Sequence, residues 1–273
     1  MLMLMALLTG CGGGERPTAD PTQSAPASPS DSAAAEPTST PALGPVAQRC
    51  GLPDVAARRL SLAGPEGARL SAVEVGSGPV GAVFLHQTGD LGLCGFWPYA
   101  VWLEQEYGLR SVLLDLCGYG DSRCGRGRFA DDLVAQTDVA VQWLRAHGGH
   151  RVTLVGASMG GAVAAVAAAT LQPRVDAVVN LSGPLVWEDL DVLAAAPDIE
   201  SPALFVVAPY DPVVSVPEMR GALQRTSGPQ RFVEAPAGHG WELLGSRVGA
   251  DYTADPVGRQ VAELIEHGSM PGP

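Results

Sequence analysis

A serine lies between two glycines in the run Gly156-Ala157-Ser158-Met159-Gly160. The apolar run before it, Arg151–Val155, is predicted to be a strand, and the Ala/Val-rich run after it, Met159–Thr170, a helix. Gly156 and Gly160 allow a sharp turn that lifts the serine hydroxyl above the sheet, where the helix N-terminus supplies N–H groups and a positive dipole. The five-residue string alone is weak evidence in a glycine-rich chain. Its strand–turn–helix setting favours a catalytic serine over a helix-capping one.

A serine hydroxyl is a poor nucleophile unless a base accepts its proton, and His239 is the candidate base. It lies in Gly238-His239-Gly240-Trp241, a flexible loop directly after the last short predicted strand. The other histidines belong to a helix-to-strand loop, to the C-terminal tail or to a separate motif: His147, His150, His267 and His86. His239 is therefore the histidine that we expect beside the serine.

The base needs a carboxylate that holds the imidazole in one tautomer and stabilises imidazolium. Asp211 follows the predicted strand Ala203–Ala208, and it lies between the serine and the histidine along the chain. This order of nucleophile, acid and base is typical of one group of hydrolases. Asp189 and Asp191 follow the preceding strand and remain alternative acids. The non-catalytic interpretation of Asp211 is a turn-forming aspartate before a proline.

Apolar strands alternate with helices along most of the chain. The predicted strands are Arg59–Leu62, Arg69–Val75, Val80–Leu85, Ser111–Leu116, Arg151–Val155, Ala177–Leu181, Ala203–Ala208 and Arg231–Val233. The predicted helices are Tyr99–Tyr107, Asp131–Ala146, Met159–Thr170, Pro217–Arg225 and Pro256–His267. This pattern predicts an α/β fold in which helices cover both faces of a doubly wound, mostly parallel sheet. Sites in such sheets form at the carboxyl ends of the strands, where the serine, aspartate and histidine all fall.

A tetrahedral oxyanion needs preorganised donors, and the Met159 N–H at the helix N-terminus is one of them. The second is expected from His86-Gln87-Thr88-Gly89, the loop after the third predicted strand. With these segments, residues 55–268 resemble the α/β-hydrolase fold superfamily. The loop is similar to the superfamily's His-Gly-x, with Gln87 in place of glycine. The resemblance implies that Thr88 donates the second N–H, and the bulkier Gln87 is an alternative donor.

The segment Asp115-Leu116-Cys117-Gly118-Tyr119-Gly120-Asp121-Ser122 resembles the D-x-x-G-x-G-x-S segment that follows the fourth strand in this superfamily. Cys117 stands where proline or arginine is usual, which suggests a disulfide near the site. We interpret Asp115 and Asp121 as structural rather than catalytic. The aromatic residues near these motifs line a pocket or belong to the core, and both interpretations stay open: Phe96, Trp97 and Trp241.

Members of the superfamily commonly carry a lid or cap between the strand after the nucleophile helix and the strand that carries the acid. Here that interval, Ser182–Pro202, is only about 20 residues long, enough for one crossover helix and its loops. We therefore expect no large cap domain and an open site. An open site favours small or short-acyl substrates.

The first 45 residues are not expected to belong to the fold. Leu8-Thr9-Gly10-Cys11 follows an apolar run and resembles a bacterial lipobox, which implies that Cys11 is lipidated and that residues 1–11 form the signal segment. No basic residue precedes the apolar run, so a start upstream of Met1 stays open. Residues 12–45 are rich in Pro, Ala, Ser and Thr and are predicted to be a flexible tether before a domain at 46–273. The expected location is the outer face of the cell membrane.

Four cysteines remain besides Cys11, and an even number in an exported chain favours two disulfides. Three connectivities are possible among Cys50, Cys94, Cys117 and Cys124. The short loop from Cys117 to Cys124 is the most easily closed, which would leave Cys50 with Cys94. A metal site is disfavoured, because the sequence has no C-x-x-C pair and no histidine near enough to complete one.

The chain of 273 residues carries 29 acidic and 17 basic residues, for a net charge of −12, which is opposite in sign to a nucleic-acid-binding surface. All bases are arginine, so Schiff-base and P-loop lysine chemistry is excluded. The sequence predicts a serine hydrolase that needs no cofactor and cleaves an ester, thioester, lactone or amide through an acyl-enzyme. The alternatives are perhydrolase or haloperoxidase-like chemistry with the same triad, or a non-catalytic surface lipoprotein that binds a ligand or partner.

Overall fold

The computed structural model describes residues 45–51, 57–249 and 251–270. The helices are α1 (Pro45–Cys50), α2 (Trp97–Tyr107), α3 (Arg128–Asp131), α4 (Leu133–Ala146), α5 (Met159–Thr170), α6 (Val192–Ala195), α7 (Val216–Leu223) and α8 (Pro256–His267). None of the described helices combines the length and the apolar character needed to cross a membrane. The predicted lipidation site, Cys11, and residues 12–44 of the predicted tether lie outside the described residues, whereas Pro45, its last predicted residue, begins α1.

Eight strands form the central sheet. They are β1 (Ala57–Ala63), β2 (Arg69–Val75), β3 (Val80–Leu85), β4 (Arg110–Leu114), β5 (Arg151–Ala157), β6 (Ala177–Leu181), β9 (Ala203–Val207) and β10 (Gln230–Glu234). Two small hairpins supply β7 (Val186–Trp187) with β8 (Leu190–Asp191), and β11 (Gly245–Val248) with β12 (Asp251–Ala254). The strand order is β1-β2-β4-β3-β5-β6-β9-β10, and all strands from β4 to β10 in this order are parallel. The predicted mostly parallel sheet is confirmed.

Two apolar clusters form the core, one on each face of the sheet. Helices α4, α5 and α7 pack on one face through side chains such as Leu144, Val163 and Met219. Helices α2 and α8 cover the other face through Leu103 and Val261. Because alternate residues of a strand point to opposite faces, strands covered on both sides are apolar throughout, as the sequence shows.

The helix predicted at Asp131–Ala146 is interrupted near its start, between Asp131 and Leu133. Asp131 ends α3, and Asp132 is the N-cap of α4, with its Oδ1 accepting a hydrogen bond of 2.8 Å from the Ala135 N–H. An aspartate side chain satisfies a free N–H at a helix start better than it stabilises a helix interior. The second acid therefore begins a new helix.

The connection between β6 and β9 also differs from the single crossover helix predicted at Ser182–Pro202. It forms the β7–β8 hairpin, the four-residue helix α6 and a short 3₁₀ turn, Ala196–Asp198. Glu188 turns the hairpin with a φ of 52°, a conformation that a glutamate seldom adopts. Asp191 then caps α6 by accepting from the Ala194 N–H at 2.9 Å. The connection is compact and contains no separate cap domain.

A buried carboxylate fastens the N-terminal helix to the sheet. Asp115 follows β4 and is fully buried, and it accepts hydrogen bonds from both terminal nitrogens of Arg49 at 2.6 and 2.9 Å. Its Oδ1 also accepts from the Leu93 N–H at 3.0 Å. Next to Arg49, Cys50 is bonded to Cys94, with the two Cα atoms 5.1 Å apart. Asp115 is therefore a structural residue that ties α1 to the loop after β3.

A second disulfide closes the loop after β4. Cys117 is bonded to Cys124, with the Cα atoms 5.8 Å apart. The Cys117 N–H donates to the Gln136 side chain on α4 at 2.8 Å, so the start of the loop is held against that helix. The two disulfides, Cys50–Cys94 and Cys117–Cys124, are therefore the pairing that the sequence favoured from the short loop between Cys117 and Cys124.

We expect Arg49→Met to lower the free energy of unfolding by about 3 kcal/mol, because it leaves the Asp115 charge buried without a counter-ion. Chemical denaturation with the disulfides intact measures this. Arg174→Met is the matched control, since its partner Glu200 is 61% exposed and a surface pair contributes about 1 kcal/mol at most. Equal losses for the two variants would contradict the structural role of Asp115.

Candidate active site

Ser158 occupies a strained turn between β5 and α5. Its φ of 49° and ψ of −118° lie outside the regions that a side chain normally allows. The strand and the helix approach so closely that a Cβ at Gly156 would collide with the Gly160 carbonyl, and a Cβ at Gly160 with the Leu85 carbonyl. The Ser158 N–H donates to the Leu181 carbonyl at 2.8 Å, which fixes the turn against β6. Both flanking glycines are thus required by packing.

Asp211 and His239 lie in contact. Nδ1 of His239 is 2.8 Å from Oδ2 of Asp211, whose side chain is fully buried, while the histidine side chain is 20% exposed. Oδ1 of Asp211 accepts from the N–H groups of Val213 and Val214 at 2.9 and 3.1 Å. The carboxylate accepts a hydrogen bond from the Nδ1–H group, so the Nε2 lone pair of the imidazole is available as a base. Sequence reasoning named this pair from chain order and strand ends.

The environment of Asp211 keeps its carboxyl ionised. Burial raises the pKa of this group, but the Ser182 hydroxyl, the His239 ring and the N–H groups of Val213 and Val214 together lower it below its ordinary value. A carboxyl with a lowered pKa loses its charge only at acidic pH. The contact that orients the imidazole therefore persists as pH falls, until the pH reaches that lowered pKa.

The alternative acids occupy other positions. Asp191 caps α6 through its Oδ1. Asp189 belongs to the turn of the β7–β8 hairpin, and no contact joins it to His239 in the described part of the chain. The hydrogen bond to His239 thus singles out Asp211 among the three candidates.

The loop of His239 packs against the turn that carries the serine. Gly240, with a φ of 59°, lies where a Cβ would be 3.2 Å from the Ala157 side chain, next to Ser158. The same Cβ would collide with Oε1 of Gln87, which is buried and has no hydrogen-bond partner among the described residues. The Gln87 side chain therefore links the loop after β3 to the histidine loop, a role that the sequence did not indicate.

His86 holds the expected oxyanion loop in place. Its Nδ1 donates to the Gln87 carbonyl at 2.8 Å, and its Nε2 accepts from the Leu116 N–H at 3.1 Å. Burial is the main cause of a lowered pKa for this histidine, and the nearby Arg49 charge adds to it. His86 is thus a neutral structural group. It fixes the backbone that leads to Thr88, while Met159 begins α5, where the N–H has no partner within the helix.

Tyr119 is a site neighbour that sequence reasoning did not single out. Its hydroxyl lies 3.8 Å from Sδ of Met159, and its ring meets the edge of His86 at a centroid distance of 4.6 Å. Burial and the charge of Glu188 raise the pKa of this tyrosine. Its place between two glycines in Gly118-Tyr119-Gly120 is the sequence signal that could have identified it as a neighbour of the site.

The three aromatic candidates divide between core and surface. Phe96 and Trp97 are fully buried, so they belong to the core. Trp241 is half-buried, and its ring packs over Gly95 and against Phe96 at a centroid distance of 5.9 Å. It supports the histidine loop from the side of α2.

Comparison with known proteins gives the fold. Residues 83–196 match the family model described as the alpha/beta hydrolase fold. An esterase from Pyrococcus furiosus superposes with a TM-score of 0.59 at 16% identity, over 67% of this chain and 82% of that one. The chain has the α/β-hydrolase fold. The protein Est1E of Butyrivibrio proteoclasticus, in complex with ferulic acid, aligns over 76% of this chain and 96% of its own, with a TM-score of 0.56 and 16% identity. A hydrolase from Pseudomonas aeruginosa aligns over 68% of this chain and 92% of its own, with a TM-score of 0.56 and 18% identity.

No curated protein matches the chain in sequence. In this α/β-hydrolase fold the nucleophile candidate follows β5, the acid follows β9 and the base follows β10. All three thus lie at the carboxyl edge of the sheet, where the fold places its sites.

We expect Gly240→Ala to slow the labelling of Ser158 by a fluorophosphonate about 100-fold, because the new methyl group must displace Gln87 and move His239. Gly108→Ala is the control. Gly108 has a similar φ of 64°, but its Cβ would meet nothing within 4 Å. Both variants carry the same backbone strain of about 1 kcal/mol, and only the first should lose reactivity. Equal labelling rates would show that the contact with Gln87 does not position the histidine.

Proposed function

We propose that this protein is a serine hydrolase that cleaves an ester, thioester, lactone or amide bond through an acyl-enzyme intermediate. The observation that carries the proposal is the 2.8 Å contact between the buried Asp211 carboxylate and Nδ1 of His239, beside the strained Ser158. Strain of this kind is retained where the surrounding structure enforces it, and it is common at nucleophiles.

In the first half-reaction, Oγ of Ser158 attacks the substrate carbonyl carbon while Nε2 of His239 accepts the hydroxyl proton. The bond to the leaving group then breaks, and the imidazolium returns the proton to the departing oxygen, nitrogen or sulfur. Water repeats the sequence in the second half-reaction and releases the acid. Asp211 stabilises the imidazolium in both halves, and its lowered pKa keeps it ionised for this role.

The negative oxygen of each tetrahedral intermediate requires N–H donors that are already oriented. The Met159 N–H at the start of α5 and the Thr88 N–H after β3 are the proposed pair. Both follow strands that are neighbours in the sheet, β5 and β3. His86, through its bond to the Leu116 N–H, holds the second donor loop against β4.

The comparisons agree with this chemistry. The proteins that share the fold include an esterase and a structure that contains ferulic acid, a carboxylic acid of the kind that ester hydrolysis releases. At 16% identity they support a class of reaction and not a substrate.

We expect Ser158→Ala and His239→Ala each to reduce ester hydrolysis by about 10⁴-fold or more, with the double variant no worse than either single one, because members of a triad act as a unit. His150→Ala, an exposed histidine at the opposite edge of the sheet, is the control and should keep full activity. Retention of near wild-type turnover by either triad variant, with unchanged thermal stability, would refute the assignment. A binding protein without catalysis would also leave Ser158 unlabelled by a fluorophosphonate.

We expect a preference for short acyl chains and no interfacial activation. The connection from Ser182 to Pro202 holds only the β7–β8 hairpin, α6 and a short turn, so no cap adds apolar surface over the site. A longer acyl chain then gains little of the roughly 0.8 kcal/mol that a buried CH₂ provides. Rates on a series of esters from acetate to palmitate, below and above the critical micelle concentration, measure this. A steady rise with chain length, or a jump at micelle formation, would contradict the prediction.

We also propose that the substrates are found outside the cell, in the wall or the medium. A lipid on Cys11 and a flexible tether over residues 12–45 would hold the domain away from the bilayer. Incorporation of labelled palmitate that persists in Cys11→Ala would count against this location.

A further inference from the structure

A buried hydroxyl lies beside the acid. Ser182 directly follows β6 and is fully buried. Its N–H donates to the Val206 carbonyl of β9 at 2.9 Å, and the same strand leads on to Asp211. Its Oγ has no well-aligned partner in the described part of the chain, yet it is close enough to the Asp211 carboxyl to lower the pKa of that group.

The backbone at Ser182 is unfavourable for any residue except glycine. Its φ is 55°, and a buried hydroxyl without a partner adds the cost of lost hydration. Glycine would avoid both costs at this position. A residue that incurs both at the edge of an active site indicates that the hydroxyl itself has a use.

The order of strands in the sheet places this hydroxyl between the serine and the acid. The neighbours β5, β6, β9 and β10 are followed by Ser158, Ser182, Asp211 and His239 in turn. The imidazole from the outermost strand must therefore extend across the ends of β9 and β6 to reach Ser158. Ser182 follows β6, the strand that lies between the strands that lead to Ser158 and to Asp211.

The acceptor sites of the carboxylate leave one position for Ser182. An ionised carboxylate has about four lone-pair sites. Oδ1 of Asp211 uses two for the N–H groups of Val213 and Val214, and Oδ2 uses one for His239. The site that remains is on Oδ2, the same oxygen that orients the imidazole.

We infer that Ser182 is a positioning residue whose hydroxyl donates a hydrogen bond to Oδ2 of Asp211. Ser182 is then the fourth residue of a hydrogen-bonded series that continues through Asp211 and His239 to Ser158. This inference rests on the proposed function. The hydrogen bond from this hydroxyl holds Oδ2 in line with Nδ1 of His239. It also reduces the negative charge that Oδ2 presents to the imidazole. The ionisable group that faces this carboxylate in the described part of the chain is His239, and its other contacts are the Ser182 hydroxyl and two backbone N–H groups.

Ser182→Ala tests the inference, with Ser182→Gly as a second variant that also relieves the backbone strain. Both should reduce kcat about tenfold with KM unchanged, which is the effect of one hydrogen bond to a charged group. Without the donor, the carboxylate holds imidazolium more strongly. The acidic limb of the pH profile of kcat/KM should therefore move to higher pH in both variants.

Ser201→Ala is the matched control. Ser201 is also buried, its hydroxyl also lacks a partner, and it precedes β9 at the opposite edge of the sheet. A purely structural role for Ser182 would leave kcat and the pH profile unchanged in Ser182→Gly, as in Ser201→Ala, and this result would overturn the inference.

A proton NMR measurement separates this inference from the proposed function. The Nδ1 proton of His239 reports on its hydrogen bond to Asp211 whether or not the protein turns over an ester. If the wild-type protein neither hydrolyses esters nor reacts with a fluorophosphonate, the proposed function fails. A shift of the Nδ1 resonance in Ser182→Gly then still supports the hydrogen bond to Asp211, and an unchanged resonance overturns it.

Discussion

The close approach of β5 to α5 is the constraint on which the site depends. A side chain at Gly156 or Gly160 would collide with backbone carbonyls of the turn and of β3. Only with both glycines can the chain reverse within one residue and hold Ser158 at a φ of 49°. That conformation places the hydroxyl above the sheet, next to the N-terminus of α5, where the Met159 N–H has no partner within the helix. The other loops of the site are arranged around this fixed point.

Two loops reach the turn, the loop after β3 and the loop of His239, and contacts that are distant in sequence hold them in place. His86 connects the loop after β3 to the Leu116 N–H behind β4. Gln87 occupies the space that Gly240 leaves open, so the loop after β3 and the loop of His239 fit against one another. Arg49, from the first described helix, neutralises Asp115 beneath the same loop. The N-terminal helix is thus part of the support of the site, although it lies outside the sheet.

The sequence predicted the sheet and its parallel direction because the buried strands are apolar throughout and alternate with helices. It also predicted the positions of Ser158, Asp211 and His239, since strand ends in such a sheet converge. It did not predict the β7–β8 hairpin, whose turn has no glycine and relies on Glu188 at a positive φ. The contact of Gln87 with Gly240 depends on three-dimensional proximity across about 150 residues, and no local pattern encodes it.

The position of the proposed acid, Asp211, after β9 rather than β6 has a geometric reason. The base follows β10 at the edge of the sheet, and β9 is its immediate neighbour, so an acid there meets Nδ1 with a short side chain. An acid after β6 would lie one strand further from His239 than Asp211 does. A neutral hydroxyl at that position can support the carboxylate without adding charge. Ser182 occupies it, which accounts for a strained and buried serine at the end of a strand where glycine would be less costly.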